Sequence, residues 1–218
     1  MPRPLPGRFR IAALVATGFT LLVLGAALRP LVVDENPTAA EVLDTVEVGF
    51  TQDMTAHHQQ ALLMVQRLDP AASAPVRRLA QQLADTQRME IGTMLGWLRL
   101  ANASPMPSRP MAWMRTEAGA AHQHSGTSTA TEAGAMPGMA TMAEMDALAA
   151  AKGRDAEILF LRLMIRHHQG GMSMTEAADR LLRGGPVKET ARSMFQAQSQ
   201  EAGVMSVMLG QLAPDPGP

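Results

Sequence analysis

Cysteine and tyrosine are absent from the 218 residues, and the aromatic share is only 3%. Without cysteine there can be no disulfide, no thiolate metal ligand and no cysteine nucleophile. A charge excess is missing too. The formal net charge is -1, and no basic stripe runs through the globular part, so nothing here attracts nucleic acid. Histidine is scarce at six, yet all six fall into three close pairs, His57-His58, His122-Gln-His124 and His167-His168. What the chain has in excess is methionine. There are 18, as many as the glycines, and a thioether is both a pliant core filler and a soft metal ligand.

The N-terminus has a transport pattern. MPRPLPGRFR carries three arginines and no acid, and the uncharged run IAALVATGFTLLVLGAAL follows at residues 11 to 28. Basic then apolar is the order of an export signal, or of a membrane anchor whose N-terminus stays inside. The run exceeds a signal core of roughly 7 to 15 residues and reaches the roughly 17 to 25 needed to span a bilayer, which favours the anchor. Gly25 and Ala27 are small enough for a cleavage site. Residues 1–28 are therefore expected to be a signal peptide or transmembrane anchor, and 29–45 a stalk with a Thr38–Glu41 capping box. The remainder is placed outside the cytoplasm, exported or held on the cell membrane by a single pass.

Helical periodicity organises the rest, and it occurs twice. Phe50, Met54, His57, Ala61, Met64 and Leu68 follow steps of 4, 3, 4, 3 and 4 along one helix face. Asp69-Pro70 and AASAP end that helix, and Ala80, Leu83, Gln87, Glu90, Met94 and Trp97 form the seam of the next. Phe160, Met164, His167, Gly171, Met174, Ala178 and Leu181 repeat the first seam 110 residues later, as Phe50 to Phe160 shows. After Gly184-Gly185-Pro186, the residues Ala191, Met194, Gln198, Glu201, Met205 and Met208 repeat the second. Two hairpins, each with one apolar stripe, are satisfied by facing each other. The expected fold is all-α, a ferritin-like four-helix bundle of two duplicated hairpins, after one N-terminal hydrophobic segment. It occupies 46–212, with the first hairpin at 46–101, a Met-, His- and Pro-rich linker at 102–140, the second hairpin at 141–212 and a tail at 213–218. Thr141 and Glu144 are read as the cap of a short helix ending near Gly153, and Asp155 as opening the third long helix.

The residues VGFTQDMTAHHQQALLM, QRMEIGTMLGWL, MPGMATMAEMDALAA and FLRLMIRHHQGGMSM resemble the DUF305 family, named for a domain of unknown function. The resemblance covers roughly residues 45 to 210 and rests chiefly on the doubled HH motif. It implies an exported ferritin-like bundle for which copper binding is the role most often proposed. By position it points to His57, His58, His167 and His168, with Met54 and Met164 beside them, and to Glu90 and Glu201 in a Gln-x-x-Glu helix.

The seams themselves carry the chemistry. His57, His167, Gln87, Glu90, Gln198 and Glu201 fall on apolar faces, where an unpartnered polar group costs several kcal/mol, so they must satisfy one another, a water or an ion. One reading is that His–Glu pairs only fix register, in a structural or partner-binding bundle. The other is that His57 and His167, flanked by Met54, Met64, Met164 and Met174, hold a metal ion, with His58 and His168 free to face a neighbouring helix or water. Glu90 and Glu201, with Gln87 and Gln198, would then orient the imidazoles. Imidazole with thioether suits copper. Met89 and Met194 have no histidine nearby in sequence and read as packing. His122, His124, Met136, Met139 and Met142 offer a secondary copper-capture surface in the linker. No Glu stands three before His57 or His167, where Met54 and Met164 are found, so a di-iron enzyme centre is not expected. The expectation is a non-enzymatic copper-binding or copper-buffering protein without an organic cofactor or nucleic-acid partner.

Overall fold

A computed structural model of the chain describes residues 7–32, 42–115 and 136–212. Two units make up the chain, residues 1–41 and 42–218. The first contains α1, Gly7–Val32. Among the described residues no helix is long and apolar enough to cross a membrane, so the expected anchor is without support. The proposed Thr38–Glu41 cap lies outside the described residues.

The second unit holds α2 (Thr45–Arg67), α3 (Ala74–Leu100), α4 (Met142–Ala150), α5 (Gly153–Leu181) and α6 (Pro186–Leu212), with a 3-10 turn at Ala112–Arg115. Every regular element among the described residues is helical. Local sequence sets the ends. Asp44 accepts from the Val46 and Glu47 amides while Glu47 returns the bond, and Thr141 with Glu144 forms the same reciprocal cap on α4. The start of α3 has Pro75 in its first turn, where a missing N–H costs nothing, and no side-chain cap of its own. Its Ser73 amide is instead met by the Glu157 carboxylate from α5. Asp69, at the end of the first hairpin's opening helix, accepts from the Gly153 amide at 2.8 Å and so ties that turn to the start of α5.

Helix α2 packs on α3, α5 on α6, and α2 on α5. One apolar cluster joins Ala61, Met64 and Leu68 to Ala156, Phe160 and Met164; the other joins Phe50 and Met54 to Met174, Ala178 and Leu182. The start of α2 therefore lies beside the end of α5, and the two central helices run antiparallel. Both α3 and α6 contribute to each cluster, through Leu83 and Met205 in one and Met94 and Met194 in the other. The first seam is buried from Phe50 to Leu68, and full burial of each large apolar side chain on it stabilises the fold by about 1.5–3 kcal/mol. Between the two apolar clusters lies a polar layer containing all four motif histidines.

Candidate functional site

All four histidines of the doubled motif are buried. Neighbours on a helix point about 100 degrees apart, so each HH pair faces two ways. His57 and His167 meet across the α2–α5 contact, their ring centroids 3.7 Å apart and their planes inclined by 31°. His58 turns to α3 and meets Glu90 Oε2 at 2.6 Å; His168 turns to α6 and meets Glu201 Oε2 at 2.8 Å. The glutamates were expected on His57 and His167, and this is corrected. The reason is geometric: α2 and α5 are each packed on more than one side, so the position beside the seam is interior as well. Gln87 and Gln198 are also buried but bond to no histidine; Gln87 Oε1 and both amide atoms of Gln198 are unpartnered among the described residues. The Gln198 amide lies against Gly171, where an added Cβ would come within 2.2 Å of its Oε1.

Hydrogen bonds settle the tautomers. His57 Nε2 lies 3.0 Å from the Pro137 carbonyl, and His167 Nε2 lies 3.0 Å from the carbonyl of His57. A carbonyl only accepts, so both rings carry a proton on Nε2. Burial holds His57 down at about 3, helped by the charges of His58 and His168. Burial also pushes His167 well below the usual imidazole range, with His57, His168 and His58 adding to it. Both rings are therefore neutral at pH 7, which is what allows them to stack so closely, and each keeps Nδ1 as a lone pair. His57 Nδ1 is buried with no partner among the described residues, and so is His58 Nδ1. His168 differs. Its Nδ1 donates to the Met164 carbonyl at 3.0 Å while its Nε2 is held by Glu201, so both nitrogens are committed.

The expected thioethers divide between the two apolar layers. Met54 and Met174 lie in one cluster and Met64 and Met164 in the other, all four buried. Met194 packs in the core as expected, but Met89 is 69% exposed. In the linker, Met136 and Met139 are half-buried along a cleft of about 490 Å³ lined by residues 136 to 141 and Arg166. Met142 is 69% exposed at the start of α4. His122 and His124 lie outside the described residues. Among the described residues, no group of three or more His, Asp or Glu side chains is arranged to hold a metal ion.

Several residues that the seams did not flag build this layer. Asp53, buried, accepts from the Met111 amide at 2.7 Å and from the Trp113 indole N–H at 2.8 Å. Desolvation raises its carboxyl above the ordinary range despite those two bonds. Trp113 stands edge-on to Phe50, with ring centroids 5.5 Å apart. Gln60 pairs with the backbone of Ala140 in both directions, at 2.8 and 2.7 Å. A sequence signal for them exists: they are places where the repeat fails. The 110-residue shift sets Asp53 against Leu163 and Gln60 against Gly170.

The family model for DUF305, a domain of unknown function, matches residues 47–209. Among solved structures, a DUF305 protein of Streptomyces coelicolor, taken to be secreted, is 34% identical over 79% of this chain and 96% of its own, with a TM-score of 0.66. A DUF305 fragment from Deinococcus radiodurans is 31% identical over 77% and 97%, with a TM-score of 0.61. CopM in its Cu(II)-bound form is similar in fold, at 22% identity over 76% and 96% and a TM-score of 0.54. No curated protein matches the chain.

Proposed function

The chain belongs to the DUF305 family, and from that premise we propose that it is an exported, non-enzymatic protein that binds copper on the imidazoles of His57 and His58. The observation that carries this reading is the pattern of commitments on the rings. His57 donates Nε2–H to a carbonyl and His58 presents Nε2 to a carboxylate, while Nδ1 of each is buried and without a partner among the described residues. That is the arrangement of a ligating histidine, whose outer nitrogen is fixed by a carbonyl or carboxylate so that the inner one can bind. An orphaned buried acceptor is costly to the fold, and a cation on it removes the cost.

The donor set favours a soft ion of low coordination number. Two imidazoles, with the Met54 thioether one helical turn away, suit copper better than a hard cation. Copper is then a cargo that is buffered or delivered. The copper-bound CopM has the same fold and is compatible with this reading. Export is supported by the basic-then-apolar N-terminus and by the Streptomyces relative.

His168 has another task. With both nitrogens already held, by the Met164 carbonyl and the Glu201 carboxylate, it fixes the register of α5 on α6.

Anaerobic copper(I) titration of the full chain against a coloured chelator tests the assignment, beside His57→Ala/His58→Ala and His168→Ala. The double variant should lose the core site, and His168→Ala should keep it while losing stability. Full binding by the double variant would move the site to the linker, and no binding by the wild type would sink the proposal.

A further inference from the structure

The linker crosses the histidine layer between α2 and α5, and residues on both helices are built to receive it. Pro137 and Gly138 lie directly on the backbone of α5: a Cβ added to Gly170 would come within 2.0 Å of the Pro137 carbonyl oxygen. Gly138 has φ +76, and a Cβ there would come within 2.4 Å of the Arg166 carbonyl, so only glycine suits both its conformation and its contact. Two residues on, the Gln60 side chain pairs with Ala140 in both directions. The repeat-related partner of Gln60 is Gly170 itself. One copy of the position grips the linker and the other makes room for it. Between these two points the Pro137 carbonyl accepts from His57 Nε2 at 3.0 Å.

The halves of the bundle thus treat equivalent rings differently. His167 donates to the carbonyl of His57, whereas His57 donates to the linker. A neutral imidazole has one N–H, and whichever nitrogen holds it cannot ligate. We propose that the linker segment Pro137–Ala140 selects the metal-ready state of His57: Gln60 and Gly170 are positioning residues that seat the Pro137 carbonyl on Nε2, which locks the proton there and leaves Nδ1 as the ligand atom. The inference deepens the copper reading and rests on it for its consequence, but the tautomer itself is a property of the metal-free protein.

The test therefore has two readouts on the full chain. The first is the His57 tautomer in the absence of metal, from long-range proton–nitrogen correlation spectra of protein carrying 15N-histidine. The second is copper(I) affinity. Gly170→Ala puts a methyl group where the Pro137 oxygen stands, so the linker must lift, while alanine suits the helix at least as well as glycine. Gln60→Ala releases Ala140 without any clash, and so serves if the first variant folds poorly. Gly203→Ala, on α6 with nothing within 4 Å of the new Cβ, is the control. The wild type and the control should show a single His57 form protonated on Nε2. Gly170→Ala and Gln60→Ala should show a mixture of tautomers and a copper affinity lower by roughly 10–100-fold, the usual cost of losing a group that orients a ligand. An unchanged, single tautomer in both variants would overturn the inference whatever the copper result. A relaxed tautomer with no copper binding in any protein would instead keep the linker's role and remove the copper reading.

Discussion

Acidification should unfold this protein through its stacked histidines, and the size of the effect follows from their burial. His57 is held at about 3 in the fold, against 6.5 for a free imidazole. Between those values the unfolded chain binds a proton that the native ring refuses, so stability rises with pH in that window and is lost as pH falls through it. Above 6.5 the contribution is complete and flat. Each pH unit inside the window is worth about 1.4 kcal/mol, so His57 alone costs the fold about 1.4 kcal/mol at pH 5.5 and about 2.7 kcal/mol at pH 4.5. His167 is displaced in the same direction and adds to the loss. Against a typical domain stability of about 5–15 kcal/mol, the pair removes a large share before pH 4.5.

Other groups do not imitate this slope. Glu144 is lowered to about 2 from 4.5, chiefly by its bond to Arg166, so its contribution is present above 4.5 and is lost only below that value. Asp53 works in the opposite sense. Its carboxyl is raised by burial, so its contribution is present below 3.8 and is lost as pH rises through its folded value. In the histidine window it can only offset the loss on acidification. The measured slope is thus a lower bound on the histidine share. Urea denaturation at pH 7.5, 6.5, 5.5 and 4.5 gives the curve, and His57→Gln should flatten it by close to one proton. A free energy of unfolding that is level from 7.5 to 4.5, or a His57 ring titrating near 6.5 in the folded protein, would refute the reasoning.

Trp113→Phe keeps a ring against Phe50 but removes the indole N–H from Asp53, whose other oxygen is already unpartnered among the described residues. It should cost about 1–3 kcal/mol in urea denaturation, and a change near zero would mean that Asp53 does not hold the linker. Gly203→Ala fills open space on α6 and should stabilise by about 0.5–1 kcal/mol through the unfolded chain and helix propensity; a lower melting temperature would show that this face is covered in solution.

The antiparallel core was legible because its residues repeat at helical spacing: each seam position from Phe50 to Leu68 is buried, as the steps of 4 and 3 require. Spacing sees one face at a time, however. It could not show that His58, one position off the seam, is as buried as His57, because α2 is packed against α3 as well as α5. Nor could it pair Glu90 with His58 rather than His57, since the choice depends on which side of α2 carries α3. On α3, Met89 was read as packing because no histidine lies near it in sequence, although it stands off the seam; it faces out. The linker was the least legible part. Asp53 reaches Trp113 and Gln60 reaches Ala140 across the chain, and such contacts leave no period in the sequence.

What they do leave is a broken repeat, and its consequence bears on how many sites the bundle can have. Two hairpins related by duplication would offer two equivalent histidine sites if nothing else touched them. The linker occurs once, and among the described residues its carbonyl contact with these rings is the one from Pro137 to His57. It lands on His57, where Pro137 supplies a carbonyl; the corresponding ring, His167, finds its acceptor in the backbone of His57 instead. The outer pair diverges as well. His58 and His168 both have a glutamate, but only His168 also donates to a carbonyl of its own helix, leaving Nδ1 open on His58 alone. The inner rings differ only in where their acceptor comes from; the outer pair leaves an unpartnered Nδ1 in the first half and a closed hydrogen bond in the second. On the proposed copper reading, the first half of the duplicated motif carries the ligands and the second braces it, and copper titration should find a single site in the core of each chain.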